Sequence, residues 1–165
     1  MYKSIKYINE IFIENSELIS NVILDEFSED YEGVTLKIYE RKFRSRLAKK
    51  TFKKKGYFVA FWEKDEQGIN QAYSYKNYPE KLIISILDGE RSGQFIFPKS
   101  LLLQKKILRD ESSKGKMALR VYPSWETDLN KSANSTQVWQ SLYFINTSDN
   151  IDNIDTEMIK HLYFN

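Results

Sequence analysis

Val34-Thr35-Leu36-Lys37-Ile38-Tyr39 alternates apolar and polar side chains without a break. A period of two puts Val34, Leu36 and Ile38 on one face, which predicts a half-buried strand with Lys37 and Tyr39 turned outward. Asp30-Tyr31-Glu32-Gly33 ahead of it reads as a turn. Before that turn, Ile5, Ile8, Ile11/Phe12, Leu18/Ile19, Val22/Ile23 and Phe27 recur at three- and four-residue steps. That spacing predicts helix over residues 2–28, which Asn15-Ser16 could divide in two.

Downstream, Tyr57-Phe58-Val59-Ala60-Phe61-Trp62 and Leu82–Leu87 are continuous apolar runs, the pattern of buried strands. A polar loop from Glu63 to Asn70 separates them. Asp88-Gly89-Glu90-Arg91-Ser92-Gly93 predicts a turn, with Gln94–Phe97 returning as a hairpin partner, and Pro98 opens a short helix over Lys99–Lys106. Lys116–Tyr122 alternates again, with Met117, Leu119 and Val121 on one face and Lys116, Ala118, Arg120 and Tyr122 on the other. Ser135–Phe144 and Asp155–Tyr163 read as closing helices. The second has Asp155 as its cap and Ile154, Met158 and Leu162 as its apolar stripe. The whole chain, 1–165, is therefore expected to be one α+β domain. Its central mixed or antiparallel sheet would have about five strands, flanked by N- and C-terminal helices.

Charge carries the main clue to function. The chain of 165 residues has 25 Lys+Arg and 23 Asp+Glu, a formal +2. Nine of the basic residues (Arg41, Lys42, Arg44, Arg46, Lys49, Lys50, Lys53, Lys54 and Lys55) fall in fifteen positions that contain no acid. The other 150 residues carry 16 basic against 23 acidic side chains, about −7. Like charges this close repel, so the segment is expected to be a short helix or an extended arm, poorly ordered without an anionic partner.

Nucleic-acid phosphates are the natural partner, with Arg giving bidentate contacts and Lys point charges. Four to six such contacts would give a log–log salt slope of roughly −4 to −5. Phe43, Phe52, Tyr57 and Trp62 lie close enough in sequence to stack on bases. Lys116 and Arg120, on the outer face of their strand, would extend the same surface. The competing readings are a solvated face balanced by acids from elsewhere in the fold, an anionic lipid surface, and an adaptor surface for an acidic protein.

Other chemistry is thinly represented. There is no Cys and one His, His161, which removes thiolate metal sites, disulfides and thiol nucleophiles together. No metal and no cofactor is expected. A metal-dependent nuclease would need converging carboxylates and a lysine. Glu40-Arg41-Lys42, with Glu32 or Asp30 upstream, is the short pattern that could supply them, giving Glu32, Glu40 and Lys42 as the alternative catalytic set. No apolar run reaches the length of a membrane span, so no membrane insertion is expected.

Several stretches together resemble the MepB family. They are Tyr31-Glu32-Gly33, Phe43-Arg44-Ser45-Arg46-Leu47-Ala48-Lys49-Lys50-Thr51 and Gly56–Trp62, then Lys81–Ile86, Gly93–Lys99, Lys114–Met117, Arg120-Val121-Tyr122-Pro123 and Thr136-Gln137-Val138-Trp139. Phe52 departs from the pattern, which carries proline there. The resemblance implies a bacterial, cytoplasmic protein, some relatives being encoded beside a multidrug efflux pump and its repressor. It also implies a general shape like the domains of type II restriction enzymes, hence binding to DNA or RNA without implying cleavage. It carries over no catalytic residue.

Overall fold

The computed structural model describes residues 1–12, 19–148 and 154–165. Along the chain lie α1 (Lys3–Ile11), β1 (Ile19–Leu24), a 3-10 turn (Glu29–Tyr31), β2 (Val34–Ile38), β3 (Arg41–Leu47), β4 (Lys49–Lys50) and β5 (Tyr57–Ala60). There follow β6 (Glu63–Lys64), β7 (Asn70–Gln71), β8 (Lys81–Asp88), β9 (Arg91–Pro98), α2 (Lys99–Gln104), β10 (Ala118–Val121), α3 (Lys131–Ser141), β11 (Phe144–Asn146) and α4 (Thr156–Phe164). The main sheet has six strands in the order β1-β2-β3-β8-β9-β11, mixed because β3 and β8 run parallel while its other neighbours are antiparallel. A three-stranded sheet, β10-β5-β4, and the β6–β7 ribbon complete it.

The central strands bury both faces. Leu82, Ile84 and Ile86 of β8, with Phe95 and Phe97 of β9, join a core that includes Tyr57 and Val59 of β5, Leu119 and Val121 of β10, and Leu101 and Leu102 of α2. Ile83 and Ile96 point the other way, into a second core with Val34, Leu36, Ile38 and Phe43, covered by Ile5 and Ile8 of α1 and Ile159, Leu162 and Tyr163 of α4. The result is three layers: α1 and α4, the six-stranded sheet, and the smaller sheet with α2 and α3. The alternation of β2 and the β8–β9 hairpin follow the sequence expectation; Asp88 faces Arg91 across the two-residue turn Gly89-Glu90.

Three expectations change. The N-terminal helix stops at Ile11, and Ile19–Leu24 is an edge strand paired antiparallel with β2. Asn21, at φ 50°, sits in a bulge between Ser20 and Ile23. One inserted residue breaks the period of two and leaves Ile19, Val22 and Ile23 at helix-like steps, while their branched side chains favour a strand. The division expected at Asn15-Ser16 lies outside the described residues.

Second, the basic segment is neither a short helix nor an arm: Arg41–Leu47 is an inner strand bonded to β2 and β8. Third, α3 starts earlier than Ser135, at Lys131, with the Asn130 side chain accepting from the Ala133 N–H at 2.8 Å. The helix ends at Ser141, and its expected last residue, Phe144, pairs instead with β9. Asp155 does cap α4, accepting from the Met158 N–H at 3.1 Å. The buried stripe there is Ile159, Leu162 and Tyr163, and Met158 is exposed.

Candidate nucleic-acid interface

The nine cations of the basic segment do not share one surface. β3 alternates, sending Phe43 and Ser45 to the helix layer and Arg44 and Arg46 to the opposite face. Both arginines meet Asp25, which follows β1: Arg44 Nε donates to Asp25 Oδ2 at 3.0 Å and Arg46 Nη1 to the same oxygen at 2.6 Å. Arg46 is fully buried, and its Nη2 also donates to Tyr73 Oη at 2.7 Å. The Arg44 guanidinium lies 4.0 Å from the centre of the Tyr73 ring. Gly33 makes room for this cluster, since a Cβ there would fall 2.9 Å from Arg46 Nη1.

Arg41 donates to the carbonyl of Phe164, at the negative end of α4. Lys81 does the same work deeper in, donating to the carbonyls of Leu162 and Asn165. Burial first, and then Arg41, hold the Lys81 ammonium below the usual lysine range. Lys42 is exposed beside the β2–β3 turn. Lys49 lies 4.9 Å from the Tyr31 ring centre, and Lys50 is 3.5 Å from Asp88. A hydrogen bond from Tyr57, with Lys50 and Arg91 nearby, keeps the Asp88 carboxyl below its ordinary range.

The remaining three, Lys53, Lys54 and Lys55, are on the β4–β5 loop and line an open cavity of about 600 Å³ with Arg120, Tyr122, Asp128 and the first turn of α3. A second depression of about 320 Å³ shares Arg120 and Tyr122 with the first and adds Lys105, Lys116 and Trp139. Together they make a groove between the outer face of β10 and α3. Lys116 and Arg120, singled out from the alternation of their strand, therefore do join the loop lysines.

Amide side chains build this groove. Gln140 is buried; its Oε1 accepts from the Tyr122 N–H at 2.9 Å and its Nε2 donates to the Arg120 carbonyl at 3.0 Å. It thus seals the free edge of β10 while fixing α3 against it. Gln137 Nε2 donates to the carbonyls of Pro123 and Glu126, both at 3.0 Å. The N-terminus of α3 then faces the loop lysines, and its partial positive charge adds to theirs. Lys105 and the whole of α3 were missed in the sequence as parts of a site. Their spacing from the basic segment carries no local signal.

The alternative catalytic set is not brought together. Glu32 accepts from both the N–H and the hydroxyl of Ser4 at 2.8 Å, fixing the start of α1. Glu40 is exposed at the far end of β2, paired with Lys37 at 3.8 Å. The whole of β2, roughly 15 Å of backbone at about 3.3 Å per residue, lies between the two residues. Among the described residues no group of three or more His, Cys, Asp or Glu could hold a metal ion, and no helix is long and apolar enough to cross a membrane.

Comparison with known proteins agrees with the resemblance. No curated protein matches the chain. A solved structure of MepB is 47% identical, superposes with a TM-score of 0.80, and matches 91% of this chain and 100% of its own. A bacterial homing endonuclease is also similar, at 10% identity and a TM-score of 0.42 over 85% of this chain and 86% of its own. The MepB-like family model matches residues 25–146, from Asp25 through β11. The chain belongs to the MepB-like family.

Proposed function

We propose that this protein binds nucleic acid through the phosphate backbone, using the groove between β10 and α3. The observation that carries the reading is the convergence of Lys53, Lys54, Lys55, Lys105, Lys116 and Arg120 on two adjoining depressions whose lining includes one carboxylate, Asp128. Six cations facing one another across a concave surface repel, and polyanionic backbone relieves that repulsion while releasing its counterions. Five of the six are lysines, which supply charge without a rigid fork, so the proposed binding reads phosphate and shape more than base sequence. The proposed activity is binding in a cytoplasmic setting, not cleavage.

Fluorescence anisotropy of a labelled oligonucleotide at low salt tests it. The Lys53→Glu/Lys54→Glu double variant should bind at least about tenfold more weakly than wild type, since each lost phosphate contact lowers affinity regardless of sequence. Lys42→Glu, outside the groove, should bind like wild type. Equal binding by the double variant, or no binding by the wild type, would overturn the proposal.

A further inference from the structure

Phe52 is completely exposed, a large apolar ring on the loop that carries Lys53, Lys54 and Lys55. Water disfavours such a ring, and the other aromatic residues near the basic segment are already engaged. Phe43 and Tyr57 are buried, and Trp62 stacks on Phe27 with ring centres 6.1 Å apart. Of these four rings, Phe52 is the one left exposed to solvent beside the lysines.

The loop is held in place from below. Arg120 Nη1 donates to Thr51 Oγ1 at 2.8 Å and to the Lys55 carbonyl at 3.1 Å, pinning both feet of the loop. Thr51 Oγ1 donates across it to the Lys54 carbonyl at 3.2 Å, and Lys55 Nζ donates to the Thr127 carbonyl at 2.7 Å. Gly56 closes the loop at φ +84°, where a Cβ would fall 2.8 Å from the Tyr122 ring. The ring is therefore carried on a fixed base next to the groove, and Tyr122, half-buried, lines the groove beneath.

We propose that the ligand of this surface is single-stranded nucleic acid and that Phe52 stacks on one of its bases, a deepening that rests on the phosphate-binding reading above. An exposed ring followed directly by three lysines offers one strand a stacking face for a base with cations beside it for the phosphates. Every base offers a π-face, so the contact tolerates any sequence. In a duplex those faces are covered by neighbouring base pairs, and Phe52 gains nothing without unstacking them.

The test uses the full chain, a labelled single strand carrying 2-aminopurine, and a duplex of the same sequence, each over a range of salt. Phe52→Ala should weaken single-strand binding about tenfold, in line with the loss of one base–aromatic stack, and remove the 2-aminopurine intensity change. It should leave duplex affinity and the salt slope as they are, and Phe52→Trp should restore the wild-type behaviour. A Phe52→Ala variant that weakens neither ligand, or both equally, overturns the inference while leaving phosphate binding standing. Recruitment to phosphatidylserine vesicles that depends on Phe52, with nucleic-acid affinity unchanged by the substitution, overturns it in favour of a lipid surface. Failure of the phosphate reading itself would be seen separately, as absence of salt-dependent binding of either nucleic acid by the wild type, and removes the inference with it.

Discussion

Asp25 decides what the basic segment is. It accepts from Arg44, Arg46 and the Thr35 hydroxyl, and so lets two guanidinium groups occupy the face of an inner strand. Without it, a fully buried cation would lose its counter-charge, a change that costs much more than the net value of the pair. Asp25→Asn should therefore destabilise the protein by about 3–5 kcal/mol, read as a lower urea midpoint with an unchanged slope. A loss below about 1 kcal/mol would mean that solvent reaches Arg46 and that the pair behaves as a surface one. The same geometry removes Arg44 and Arg46 from the ligand-binding set: neutralising them perturbs the fold and says nothing clean about nucleic acid.

At the scale of elements, the strands whose pattern depends only on themselves were legible. β2 alternates, β8 is apolar throughout, and the Asp88–Arg91 turn fixes the hairpin register. β1 was not, because the bulge at Asn21 converts a strand pattern into apparent helical steps. The basic segment was misread for a different reason. The charge of its three β3 arginines is met by an acid sixteen residues before its first member and by a carbonyl at the end of α4, partners supplied only by tertiary structure. The groove was half legible. The outer face of β10 could be read from Lys116-Met117-Ala118-Leu119-Arg120. The opposite wall could not, because α3 reaches β10 through Gln137 and Gln140, and buried amides leave no periodic trace.

At the scale of the whole molecule, two cores on either side of one sheet are lined with tyrosines whose hydroxyls are held in low-dielectric surroundings. Burial pushes Tyr7 up to about 12 and also raises Tyr57, Tyr78 and Tyr163 above the ordinary tyrosine value. The native state keeps these protons where the unfolded chain, ionising near about pH 10, gives them up. Their contribution to stability is complete below about pH 10 and is lost as the pH rises through 12. The tyrosinate absorbance contributed by these four buried rings and the loss of ellipticity should consequently change in one shared cooperative step in that window. Independent titration of all tyrosines near about pH 10 with the fold intact would contradict the burial described here.

The proposed binding surface is the groove between β10 and α3, lined by six cations, and the most direct test of that proposal is the dependence of nucleic-acid affinity on salt. Four to six phosphate contacts on a single strand predict a log–log slope of about −3 to −4, falling by about 1.4 in the Lys53→Glu/Lys54→Glu variant. A slope near zero, or one that the double substitution leaves unchanged, would contradict it.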